Sequence, residues 1–244
     1  MCIRDSHNIN CQTYEGIKEI IVADDGEEPK MKTQPATPKS ISDSYLAGLH
    51  YAIKTEKDPE AYIRKELEGT DYELQKFNRG VAHYKRKSDG SHHISIKGTD
   101  PSKFKDLLSD ARLAVGLGGI DKQFKRRANQ VKDIYRNNPE GDKYLLGHSL
   151  GGSIGTHMMA KSKGIRDTTK KANFFNTGYT PAFHSELTGR LSKDDKKVLK
   201  DKIVQHHIIG DPVSSSLLTK SIGKVKKYSI KAKDLLKKHT IHSF

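Results

Sequence analysis

The stretch YLLGHSLGGSIGTHMMA, residues 144–160, runs from a short apolar segment through closely spaced glycines into an amphipathic helical pattern. Strand, tight turn and helix in that order place Ser149 at the apex of the turn. Gly147 and Gly151, two residues to either side, remove the Cβ atoms that would collide with the neighbouring strand and helix. The turn can then hold Ser149 in a strained conformation, which predicts an Oγ exposed above the sheet. Ser149 also stands at a helix N-terminus, where the Leu150 backbone N–H and the helix dipole favour an oxyanion. The G-x-S-x-G pattern alone is weak, and a glycine-rich helix start that cradles phosphate is the competing reading. The strand-turn-helix context is what favours a nucleophilic serine.

Outward from this turn the pattern alternates. Downstream come an apolar run ANFFNTG (172–178), a polar helix near 192–200 and a second apolar run KIVQHHIIG (202–210). Upstream, IDKQFKRRANQVKDIYRNN (120–138) carries Ile120, Phe124, Ala128, Val131 and Ile134 along one helical face. Before it PSKFKDLLSDARLAV (101–115) reads as a helix ended by VGLGG. Strands that alternate with crossover helices predict an α/β fold with a mostly parallel central sheet and helices on both faces. Further upstream, GVAHYKRK (80–87) and HHISIKG (92–98) flank SDGS, whose Asp-Gly pair predicts a hairpin. Two opening helices are expected, one from Ser42 through Tyr45, Leu46, Leu49, Tyr51 and Ile53, the other from Pro59 through AYIRKEL.

Residues 1–40 sustain no period and are expected to form a tail ahead of one domain over 41–244. The opening MCIRDS resembles translated adaptor sequence, and Met31 offers a second start. A chain of 244 residues with 34% apolar and 30% charged residues suits one compact domain with a densely charged surface. Forty-four Lys and Arg against 30 Asp and Glu give a net charge of +14, which suits anionic partners such as phospholipid surfaces or nucleic acid, or serves simply as a solvated cationic surface that keeps the protein soluble. Cys2 and Cys11 both fall in the tail, so neither a disulfide framework nor a cysteine metal site is expected. No window has the length of a membrane span and no leader pattern is present, so the expected compartment is intracellular, in the cytoplasm or a viral host cell.

An activated serine needs a base and an orienting carboxylate, and on a sheet of this kind they follow the serine in the order Asp, then His. Asp194, Asp195 and Asp201 lie in a lysine-rich stretch that reads as a solvated helix face, whereas Asp211 follows Gly210 at the end of an apolar strand. Asp211 is therefore the expected carboxylate, because catalytic groups sit at carboxyl ends of strands. His157 falls inside the helix after the turn, His206 and His207 lie inside a strand, and His184 precedes Asp211. His239 and His242 remain, and either fits on spacing alone. The pairs His92-His93 and His206-His207 lack ligand spacing, so no metal is expected.

These residues together resemble the class 3 lipases, and in detail the small lipase-like hydrolases of large DNA viruses and environmental microbes. The resemblance runs from about Val81 onward. HISIKGTD is similar to the family strand that ends in R-G-T, with Lys97 in place of Arg; FKDLLSDARL is a loose match to the lid segment and lacks its Trp. The elbow GHSLGG, then FFNTGYTP, HIIGDPVS and HTIHSF follow in family order, while the family's v-H-x-G-F segment is missing before the elbow.

The resemblance implies an α/β-hydrolase fold with Ser149, Asp211 and His239 as catalytic triad, and Thr99 and the Leu150 amide as oxyanion hole. It prefers His239 to His242. It implies hydrolysis of lipid carboxylic esters through an acyl-enzyme, with no cofactor and no metal. The positive charge makes phospholipid a better expected substrate than neutral fat, with peripheral contact to an anionic membrane surface and no specific nucleic acid partner. The other class of reading is a non-catalytic basic binding protein on the same fold, with KQFKRR and GKVKKYSIKAKDLLKK as its contacts. An acyltransferase variant of the enzyme reading also fits the sequence.

Overall fold

A computed structural model describes residues 38–51, 56–98, 119–177, 181–211 and 221–229, and the statements below concern these. The chain divides into two units, residues 1–38 and 39–244, and the sheet belongs to the second. Its strands are β1 (Tyr72–Phe77), β2 (Val81–Arg86), β3 (His92–Ile96), β4 (Lys143–His148), β5 (Thr169–Phe175), β6 (Ile203–Ile208) and β7 (Lys224–Tyr228). They lie side by side in chain order. β1–β2 and β2–β3 are antiparallel, and every pair from β3 to β7 is parallel. This is the mostly parallel sheet of an α/β-hydrolase fold, as the sequence predicts.

Adjacent residues on a strand point to opposite faces, and the apolar pairs show it. Val81, Leu145 and Phe174 enter one core, while Ala82, Leu146 and Phe175 enter the other. The first core is covered by α3 (Gly119–Asn137), α4 (Leu150–Lys161), α5 (Lys163–Thr168), α6 (Pro181–Thr188) and α7 (Lys193–Lys202). The second is covered by α1 (Asp43–Leu49) and α2 (Pro59–Glu66). A strand order that never reverses, together with the right-handed preference of parallel crossovers, accounts for the crossover helices packing on one face. The other face is left for the two opening helices, whose Leu46, Leu49 and Ile63 are buried against it.

Local chemistry sets the element ends. Ser42 caps α1 by accepting from the Tyr45 N–H, and Asp58 caps α2 from the Ala61 N–H at 3.0 Å with Pro59 in the first turn. The first helix ends at Leu49, so Tyr51 lies in the following turn, off the helix face that its spacing predicts; Ile53 lies outside the described residues. The hairpin forms as expected: Gly90 takes φ 69° and Arg86 Nε donates to Asp89 at 2.9 Å across the turn. Strand β1 and helices α5 and α6 are additions to the sequence reading. The helix expected over 101–115 lies outside the described residues.

Candidate active site

Ser149 sits between β4 and α4 with φ 53° and ψ −124°, a left-handed conformation that an L side chain rarely adopts. Its N–H donates to the Phe175 carbonyl at 2.9 Å, so the apex of the turn is tied to the end of β5. The glycines have the role the spacing predicts. A Cβ on Gly147 would stand 2.7 Å from the Gly152 nitrogen, and one on Gly151 would stand 2.0 Å from the Ile96 carbonyl oxygen. Two more glycines serve the same packing: a Cβ on Gly152 would meet Thr177 Oγ1 at 2.0 Å, and one on Gly155 would meet the Phe174 ring at 2.5 Å.

One expectation about the serine is corrected. Ser149 is 3% exposed, so its hydroxyl is not displayed to bulk solvent. The end of β3 crowds it, since a Cβ on Gly98 would lie 3.1 Å from Ser149 Cβ and 2.4 Å from the His148 carbonyl oxygen. Leu150 opens α4, and its N–H has no hydrogen-bond acceptor among the described residues. An amide left open at a helix N-terminus suits an incoming oxyanion.

Asp211 is fully buried just beyond the end of β6, where Gly210 takes φ 81° and the Asp211 N–H donates to the Ile208 carbonyl at 3.0 Å. Serine and aspartate therefore stand on the same rim of the sheet, at the ends of strands two places apart, a separation of about 10 Å along the sheet. Asn176 ties the end of the intervening strand to β6: its N–H donates to the His206 carbonyl at 2.8 Å, and its Oδ1 accepts from the Ile208 N–H at 3.0 Å. Thr99, His239 and His242 lie outside the described residues.

His157, His206 and His207, set aside in the sequence reading as packed or surface side chains, are held by neighbours in the structure. His206 is held between Asn173 Oδ1 at 3.0 Å and the Tyr228 hydroxyl at 2.8 Å. His207 is buried beside Asp211; burial lowers its pKa to about 4, with the Asp211 charge opposing. His157 lies between the rings of Phe124 and Phe183.

A contact that periodicity does not reveal lies at the turn itself. The Tyr51 oxygen accepts from the Gly98 N–H, and its proton is then directed to His148 Nδ1 at 2.7 Å. The His148 imidazole consequently keeps its own proton on Nε2. Burial holds the Tyr51 phenol far above its ordinary range, so the phenol keeps its proton at working pH. The buried Lys97 ammonium stands 5.1 Å from the centre of the Tyr51 ring, and the Lys97 carbonyl accepts from Arg127 at 2.5 Å. The end of β3, the elbow and α3 are thus braced through Tyr51 and Lys97.

No protein-family model matches the chain, and no curated protein sequence does. Among solved structures the chain is similar to M37 lipase, with a TM-score of 0.48 and 13% identity over 70% of this chain and 67% of that one. It is also similar to a lipase from Rhizopus microsporus var. chinensis, with a TM-score of 0.43 and 15% identity over 70% of this chain and 66% of that one.

Proposed function

We propose that the chain is a serine hydrolase that cleaves carboxylic esters of lipids through a Ser149–Asp211–His239 triad and an acyl-enzyme. The observation that carries the reading is the backbone of Ser149: a non-glycine residue held at φ 53° between strand and helix, with glycines cleared around it. Strain of that kind persists only where the surrounding structure over-determines it, and it gathers at sites where a side chain must be aimed. In the proposed reaction Ser149 Oγ attacks the ester carbonyl, and His239 takes the serine proton and returns it to the leaving alcohol. Asp211 holds the imidazole in the required tautomer. Water then cleaves the acyl-enzyme with the same base. The Leu150 N–H and Thr99 receive the developing oxyanion, each contributing about 3 kcal/mol to lowering the barrier.

The buried Asp211 on the rim that carries Ser149 supports the assignment of the carboxylate. The class 3 lipase resemblance of GHSLGG, HIIGDPVS and HTIHSF supports the order of the triad and the choice of His239. The net charge of +14 favours phospholipid over neutral fat. The test is covalent labelling with a fluorophosphonate. Labelling of the wild type that is abolished in Ser149→Ala and His239→Ala is the expected result; a folded wild type that takes no label would sink the hydrolase reading and leave the basic binding protein.

A further inference from the structure

We infer that the open edge formed by β7 and the end of β6 docks on an anionic phospholipid surface. The inference deepens the proposed function by naming the surface from which the site would draw its ester, and it rests on that reading only for its purpose. Among the described residues, the large hydrophobic side chains that stand exposed are Ile209 at 55%, Val225 at 44% and Tyr228 at 37%. All three belong to this edge. Ile209 and Tyr228 are neighbours, since the Ile209 N–H donates to the Tyr228 carbonyl at 2.8 Å.

The same edge is basic. Every residue of β7, KVKKY, is exposed, so both faces of the strand meet solvent. Lys224 pairs with Asp201 at 3.5 Å, while Lys226 and Lys227 have no ion-pair partner among the described residues. Lysines on an edge strand commonly serve to block edge-to-edge pairing of sheets. That role accounts for the cations but not for three exposed apolar side chains beside them. Apolar groups that enter the interface, ringed by ammonium groups that meet headgroup phosphates, are the combination that anionic bilayers select.

Charge also decides against the other occupants. A second copy of the chain would bring lysine strand against lysine strand. The flanking segments would bring Lys220 on one side and Lys231, Lys233, Lys237 and Lys238 against a single Asp234 on the other. The position is apt, because Ile209 stands two residues before Asp211 and the docked edge would hold that rim of the sheet near the bilayer.

The test is sedimentation of full-length Ser149→Ala protein with vesicles of phosphatidylcholine, with and without phosphatidylserine. Binding that requires phosphatidylserine and falls as salt rises is expected. The pair Lys226→Glu and Lys227→Glu should weaken it by about tenfold or more. The pair Ile209→Ser and Val225→Thr should weaken it severalfold with the thermal midpoint unchanged. The exposed control pair Lys196→Glu and Lys197→Glu on α7, which alters net charge equally, should leave it within about twofold.

Equal loss in the control pair, binding without phosphatidylserine, or no binding overturns the inference. So does protection of the 224–228 amides from hydrogen exchange in the free protein, or dimerisation that the lysine variants alter. Wild-type fluorophosphonate labelling without vesicle binding would overturn the docking surface alone; vesicle binding without labelling would overturn the hydrolase alone.

Discussion

Gly151 and Gly164 are both helical glycines, yet their surroundings differ completely. A Cβ on Gly151 meets backbone atoms of Ile96 and Lys97 that cannot rotate away, while one on Gly164 meets nothing within 4 Å. Gly151→Ala should cost about 3 kcal/mol or more, or part β3 from the elbow, and should abolish fluorophosphonate labelling. Gly164→Ala should instead stabilise by about 0.5 kcal/mol, through lost freedom in the unfolded chain. Urea denaturation of the two variants reads both outcomes. Tyr51 is a positioning residue at the same scale. Tyr51→Phe keeps the ring under Lys97 but removes the buried bridge from Gly98 to His148, which should cost about 1–3 kcal/mol by urea midpoint and leave the protein folded. Labelling should slow by about tenfold or more, because small displacements of a reacting group are costly. The ¹⁵N shifts of His148 read the lost bond directly: Nδ1 that shows no change in the variant would refute the bridge whether or not the protein takes label.

At the scale of elements, the fold is joined by a few buried cations that end one helix on another. Arg166 of α5 donates to the Met159 and Ala160 carbonyls at the end of α4, at 3.1 and 3.2 Å, and to Asp195 of α7 at 2.7 Å. It is 5% exposed, so its removal leaves carbonyls with no donor in place. Arg166→Met should cost about 2 kcal/mol, measured by urea midpoint, with no effect on labelling in the folded protein. The elements that sequence patterning missed are short and weakly patterned. β1, YELQKF, has three charged or amide side chains and a register shift between Leu74 and Lys76, which hides its two-residue period. The six residues of α5 give too little length for a helical period to show. Where the local signal is strong, as at the Asp-Gly turn before β3 or Pro59 at the start of α2, expectation and structure coincide.

For the whole molecule, buried neutral histidines set the response to acid. Burial lowers the pKa of His50 to about 3 and of His83 to about 4, and His207 stands at about 4 for the same reason. The unfolded chain takes protons on these rings below about pH 6.5 while the folded chain refuses them until the lowered values. Stability should therefore be level above pH 7 and fall steadily from about pH 6.5 toward pH 4. Asp43, whose carboxyl is held below its usual range although burial opposes this, acts in the same direction. Denaturant midpoints from pH 8 to pH 4 check this, and a midpoint that rises on acidification would contradict it.

The amino-acid sequence by itself determined the strand-turn-helix at Ser149, the hairpin and the starts of the two opening helices, because each depends on residues within one element or one turn; the mostly parallel sheet followed from the alternation of strands with crossover helices along the chain. It also singled out Asp211 by its place after an apolar strand. Only the tertiary structure decided which face each helix covers, that Ser149 is buried beneath the end of β3, and that Tyr51 joins Gly98 to His148. Those facts depend on atoms brought together from strands and turns far apart in the chain. No period, spacing or composition of a single segment carries information about which distant backbone will press against it, and at this site the close approaches are between backbones.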